Sequence, residues 1–168
     1  GDQYEDRTYV YPMNQGVRVY ALFGNSNPIA EDHFAGLQNP VMRNWKTIDV
    51  GGGPNGVPDG KADFVYVSTL NATTGTGTRI YTLLAKGNGT WEEKPPFDLA
   101  NVNAPDSLYW KPADVNGVGK GDLVHISRNQ SQISVDTLFS NGDGTWSTAN
   151  WTYNAQSALG TIATHDTL

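Results

Sequence analysis

One pattern runs through this chain twice in full and a third time divided between its two ends: an Asp-rich turn followed by a short apolar strand. The first complete copy begins at Trp45-Lys46-Thr47-Ile48-Asp49 and closes at Asp59-Gly60-Lys61-Ala62-Asp63-Phe64-Val65-Tyr66-Val67. The second runs from Trp110 through Ala113-Asp114-Val115-Asn116-Gly117-Val118-Gly119-Lys120-Gly121-Asp122 to Leu123-Val124-His125-Ile126. Each then gives a second apolar run, Ile80 to Leu84 or Ile133 to Phe139, and a glycine turn that ends in Trp91 or Trp146. The first 34 residues fit the same template entered partway through, with Asp2 and Asp6 lying over Asp59 and Asp63. The tail, Ile162 to Asp166, lies over Trp110 to Asp114. An internal repeat fixes architecture before any single residue does.

The apolar runs are short, rich in β-branched and aromatic residues, and bounded by turn residues, while no stretch holds a helical period over three turns. Each repeat supplies about four strands, and the spacing from Trp45 to Trp110 is 65 residues. Four antiparallel strands recurring at that spacing describe a propeller blade. The expected fold is all-β: a single repeat domain over 1–168, with repeats near 1–44, 45–109 and 110–161 and a further one starting at 162–168. About three four-stranded antiparallel blades are too few for a closed ring, since the usual minimum is about four. The ring is therefore expected to be completed by a homo-oligomer or by the remainder of a larger chain. Asp166 of one end would then meet Asp2 and Asp6 of another in one composite loop.

The run Ala113 to Val124 and the following Asn141-Gly142-Asp143-Gly144-Thr145-Trp146 resemble the FG-GAP/VCBS repeats of integrin alpha-chain heads, fungal lectins, bacterial adhesins and toxins, and appendages of secreted hydrolases. The resemblance covers most of the chain as three repeat equivalents. It implies β-propeller blades whose Asp loops bind calcium.

Calcium takes six to eight oxygens in irregular geometry, and alternate loop positions can supply them. In the second loop these are Asp114, Asn116, Val118, Lys120 and Asp122, with Val118 and Lys120 able to give only a carbonyl. Val118 stands where the family has an acid. The first loop has 14 positions from Asp49 to Asp63 against 8 from Asp114 to Asp122, the extra residues falling in Gly51 to Pro58. Asp49, Asn55, Asp59, the Lys61 carbonyl and Asp63 are its expected ligands, and its three carboxylates rank it as the better site. The competing reading is that these are Asx-type turns, in which Asp caps backbone donors without metal. The Lys120-Gly121-Asp122 tripeptide resembles an integrin ligand, but Asp122 is already committed to its loop.

Charge and composition exclude several functions. Seventeen acidic and 11 basic residues give a formal charge of −6, the wrong sign for nucleic acid. There are no cysteines, so no disulfide, thiolate metal site or Cys nucleophile. No apolar run approaches the roughly 20 residues of a membrane span. Sequons at Asn71, Asn88, Asn129 and Asn150 are candidate glycosylation sites, and with the calcium-type loops they point to a secreted protein.

The catalytic inventory is thin. His33, His125 and His165 are the only histidines, and no zinc-protease, nucleophile-elbow or phosphate-loop motif occurs. The carboxylate pairs fall in the metal loops, where both must be ionised, whereas glycosidase chemistry keeps one protonated. The chain is therefore not expected to be an enzyme. Trp45, Trp110 and Trp151 are candidate ligand-binding residues, because sugar rings stack on indole faces, although a Trp at a fixed place in every repeat also serves as a blade-core residue. The functional expectation is a calcium-binding recognition module for glycans or a cell-surface glycoprotein. The alternative is a non-catalytic accessory or structural part of a larger secreted enzyme or toxin.

Overall fold

The structure, a computed structural model, describes residues 7–23, 27–71, 73–102, 109–129 and 132–154. It is all-β, with three antiparallel sheets. The first contains β1 (Arg7–Pro12), β2 (Gln15–Leu22) and β3 (Ile29–Gln38) in that order. The second has β4 (Trp45–Ile48), β5 (Asp63–Asn71), β6 (Thr76–Ala85) and β7 (Trp91–Glu93), with β8 (Phe97–Leu99) also paired to β6. The third has β9 (Trp110–Ala113), β10 (Asp122–Asn129), β11 (Gln132–Ser140) and β12 (Trp146–Asn154).

The register makes the repeat three-dimensional. Phe64 pairs with Leu83 and Tyr66 with Tyr81 in the second sheet; Leu123 pairs with Leu138 and His125 with Asp136 in the third. Trp45 lies opposite Tyr66 as Trp110 lies opposite His125. The fourth strand is continuous in the third sheet but divided into β7 and β8 in the second. Lys94-Pro95-Pro96 sits at the break, and proline has no N–H for the ladder. Phe97 still pairs with Ile80 as Trp151 pairs with Val135, so these two aromatics are equivalent.

The alternation of side chains across a strand builds the core. In the second sheet Tyr66, Tyr81, Leu83 and Trp91 bury against Val10, Val17, Val19 and Ala21 of the first. Its other face, Val65, Val67, Ile80 and Leu84, buries against Trp110, Leu123, Leu138 and Trp146 of the third. The central strands β5 and β6 are thus apolar on both sides, as a sheet sandwiched between two others requires. Trp146 crosses the second seam and donates its Nε1–H to Thr82 Oγ1 at 3.0 Å. These packed sheets are blade-like.

β3 is the strand that the apolar pattern did not reveal. It has only three large apolar residues, Ile29, Phe34 and Leu37, and its alternation is interrupted where the register shifts between Gln15 and Val17 of β2. Phe34 takes a left-handed φ of 54° there, rare for a bulky residue. Gly16 faces that distortion, and any Cβ on it would meet the His33 and Phe34 carbonyls. Two glutamates then stitch the first sheet to the second: Phe34 N–H donates to Glu93 at 2.7 Å and Trp91 N–H donates to Glu31 at 2.8 Å. His33 is buried between these carboxylates, 3.5 Å from Glu31 and 3.7 Å from Glu93.

Candidate functional site

The acidic turns join β4 to β5 and β9 to β10. Their closing residues act identically in the two repeats. Asp63 is buried, and its two oxygens accept N–H donors from Val50 at 2.9 Å and Ala85 at 2.8 Å. Asp122 is buried and accepts from Val115 at 3.0 Å and Ser140 at 2.9 Å. Each carboxylate therefore pins the residue after the opening Asp to the end of the sheet's third strand. A buried N–H without a partner is costly, so this carboxylate completes the backbone accounting of its turn.

The opening residues close the turns themselves. Asp49 accepts from Gly51 at 3.1 Å and from Gly60 at 2.8 Å. Asp114 accepts from Val118 at 3.1 Å and from Gly119 at 2.8 Å, and Asn116 accepts from Val118 at 3.2 Å. Asp59 binds the backbone N–H and the ammonium of Lys61. Asn55 stands exposed in the 3₁₀ turn Pro54–Gly56 with a left-handed φ of 60°. Asp2, Asp6 and Asp166, and with them the composite loop, lie outside the described residues, as does His165.

Electrostatics separate the carboxylates of the first turn. Burial pushes the Asp63 carboxyl up to about 6, against the pull of the Ala85 and Val50 N–H groups, and the Asp49 and Asp59 charges push it further up. Burial also works against the Asp59 charge, but hydrogen bonds and charge from Lys61 hold that carboxyl below its ordinary value. Asp49 and Asp59 therefore both lie within electrostatic reach of Asp63.

The donor set suits a hard cation in kind, being all oxygen, and each oxygen that accepts one N–H keeps a further lone pair. In placement it is a set of backbone clamps: among the described residues no group of three or more His, Asp or Glu side chains gathers as a metal cage. The turns thus have the Asx geometry weighed against calcium from the sequence.

The six-residue insertion of the first turn has a separate role. Gly52 N–H donates to the Gly142 carbonyl at 2.9 Å, and Ser140 Oγ donates to the Val50 carbonyl. Gly56 and Gly142 meet backbone to backbone, with no room for a Cβ on Gly142, whose φ is +89°. Gly121 N–H donates to the Asp49 carbonyl at 2.7 Å. The insertion is a buckle between the second and third sheets.

A cleft of about 570 Å³ opens along the same seam. Phe97, Leu99, Val102 and Leu138 give it apolar walls; Asp98, Asn101, Asp136 and Asn150 give it polar ones. Asp136 is held on both sides. His125 Nδ1 lies 3.1 Å from its Oδ2, and Asn150 Nδ2 donates to its Oδ1. A carboxylate only accepts, so the proton between them sits on Nδ1. The imidazole in turn lies against Trp110, with ring centroids 5.2 Å apart.

The origin of this cleft is legible in the register. His125 and Asp136 occupy the positions of Tyr66 and Tyr81. At the first seam those tyrosines pack with Phe34 and Trp45 into a filled aromatic cluster, Tyr81 centred 5.0 Å from Phe34. Exchanging a tyrosine pair for a His–Asp pair leaves both room and polarity at the second seam. Asp136 and Asn150 were absent from the residues singled out as binding candidates. The signal was the joint exchange of two cross-strand partners, which appears only when both strands of the repeats are aligned together.

The tryptophans divide. Trp45 is half-buried in the aromatic cluster, Trp110 is fully buried on the floor of the cleft, and Trp151 is exposed on the outer face of the third sheet. Among the sequons, Asn71 at the exposed end of β5 and Asn88 in an exposed turn each accept backbone N–H at Oδ1. Asn150 lines the cleft, and Asn129 ends β10. No protein-family model, no curated protein and no solved structure matches this chain.

Proposed function

We propose that this chain is a non-catalytic recognition module that binds glycans in the cleft between its second and third sheets. The observation that carries the reading is the Asp136 carboxylate, oriented by His125 and Asn150 at the edge of an apolar wall. Sugars present hydroxyls that need fixed acceptors and donors, and C–H faces that favour apolar surface. A carboxylate already locked by two donors loses little freedom on binding, which favours affinity. Asn101 and Asp98 add donors and acceptors at the rim, and Phe97 supplies a ring that is only half-buried.

Calcium belongs to the same proposal. Asp49, Asp59, the Lys61 carbonyl and Asp63 would hold it in the first turn; Asp114, Asn116, the Val118 and Lys120 carbonyls and Asp122 in the second. The mutual repulsion around Asp63 supports this, since a dication relieves crowded carboxylates. Its contribution is structural, bracing the turns beside the cleft. The resemblance to FG-GAP/VCBS repeats supports both parts of the reading and an extracellular setting.

A glycan array probed with the protein in calcium and in chelator tests this. Selective binding is expected, weaker in chelator and abolished by Asp136→Ala and Asn150→Ala variants whose circular dichroism is unchanged. Binding that survives both substitutions overturns the cleft as the site. No binding to any glycan shifts the reading to an accessory part of a larger secreted protein.

A further inference from the structure

We infer that two copies of this chain associate head to tail through the outer faces of the first and third sheets. The argument rests on an interface that the fold already makes twice. Each sheet has two faces, distinguished by the register. One carries the Tyr66/Tyr81 positions and is aromatic in the second sheet, with Trp45, Phe64, Tyr66 and Tyr81 in mutual ring contact. The other carries the Val65/Val67/Ile80 positions and is aliphatic.

At both internal seams the aliphatic face of one sheet meets the aromatic face of the next. Val10, Val17, Val19 and Ala21 of the first sheet pack on the aromatic face of the second. Val65, Val67, Ile80 and Leu84 of the second pack on the face of the third that bears Trp110 and Trp146. The order never reverses, so the stack has a direction.

Its two ends carry the two matching halves of that interface. On the first sheet Tyr9 and Tyr20 form a cross-strand pair with ring centroids 6.5 Å apart, and Tyr9 is 56 % exposed with Tyr11 at 51 %. Counting back from β5, Tyr9 stands at the Tyr66 position, so this is an aromatic face open to solvent. On the third sheet Ile126 pairs with Val135, and Val135 with Trp151. Ile126 is the equivalent of Val67, which is fully buried, yet it is 63 % exposed. The residues that the repeat uses to bury a following sheet are thus present where none follows among the described residues.

A face of one kind at one end and its complement at the other make a heterologous interface, which closes into a ring or runs on as a filament. Each copy brings three sheets, so two copies bring six, within the roughly 4–8 of closed propellers. Three copies would exceed that range. The occupant is one second copy, contacted at both ends, since six sheets fit a closed ring and leave neither face bare.

Native mass spectrometry and light scattering on the intact chain test this. A dimer of the 18.2 kDa chain is expected at micromolar concentration. Ile126→Glu and Tyr9→Glu each place a charge in the proposed contact from a side chain that is exposed in the monomer. Each should weaken dimerisation at least about 100-fold, with circular dichroism and thermal midpoint of the monomer retained. Mixing the two variants should restore a heterodimer, because one of its two contacts pairs the unaltered aromatic face with the unaltered aliphatic one. A chain that stays monomeric at roughly 0.1 mM, 100-fold above the micromolar expectation, overturns the inference. So does a dimer indifferent to both substitutions, or variants that stay monomeric when mixed.

Discussion

Replacing Asp122 by Ala tests whether the closing carboxylates are clamps in their own right. The substitution leaves the Val115 and Ser140 N–H groups without the acceptor they hold at 3.0 and 2.9 Å. Each orphaned N–H costs about 1–3 kcal/mol, and Asp122 is wholly buried, so water does not readily substitute. Relief of the buried carboxylate's own desolvation offsets part of this, giving a net loss of about 2–4 kcal/mol. Asp63→Ala should cost less, because burial and the neighbouring acids already raise that carboxyl to about 6. Asn at either position recovers little: its oxygen can accept one N–H, but its amide nitrogen then faces the other donor. For a chain of this size the Asp122→Ala loss corresponds to roughly 5–15 °C in melting temperature. Urea unfolding followed by tryptophan fluorescence in chelator reads the effect without metal, and a parallel series in calcium reads it with metal. A loss below about 0.5 kcal/mol in chelator, or one seen only when calcium is added, would refute the clamp and return Asp122 to a purely ligating role.

Calcium at 100 times its dissociation constant should add about 2.7 kcal/mol, or roughly 5–10 °C, and Asp114→Ala with Asn116→Ala should remove the share of the second turn. A melting temperature that ignores calcium and chelator alike would end the metal proposal. Gly142→Ala forces a Cβ into the Gly56 carbonyl at a left-handed φ and should cost about 2–5 kcal/mol by chemical denaturation, whereas Gly117→Ala, with open space around it, should cost about 1–2. Arg79 donates twice to Asp98 and holds that carboxyl below its ordinary value, joining β8 to β6. The stability from that pair is present above the unfolded carboxylate value and lost as pH falls through the lowered folded value. Both side chains are about a third or more exposed, so Asp98→Asn should flatten the acid limb of the stability profile by only about 0.5 kcal/mol, and less in high salt.

Much of this fold was readable in the chain because its signals are local and recur. The Asp-turn-strand unit set the positions of β5, β6, β10 and β11, and the paired glycines set the turns before Trp91 and Trp146. β3 was not legible, because its large apolar residues are sparse and a left-handed Phe34 breaks the alternation that betrays a strand. The division of β7 from β8 follows from Pro95 and Pro96, which have no N–H for the ladder. The candidate metal residues were legible as oxygen donors, yet their partners were not: which N–H each carboxylate accepts depends on how the turn packs against the third strand of its sheet. The cleft stayed hidden for a similar reason. His125 alone reads as a strand residue, and only with Asp136 and Asn150 across two ladders does it become one side of a polar wall.

The glycine segment between Val50 and Pro58 has a consequence for how such a protein can vary. Because Gly52 and Gly56 dock on Gly142 of the following unit, the middle and last modules have become asymmetric partners that cannot trade places. A shuffled chain with two copies of the shorter turn would keep every strand and lose the latch. Lengthening by duplication would succeed only when the donor module carries its own glycine tongue.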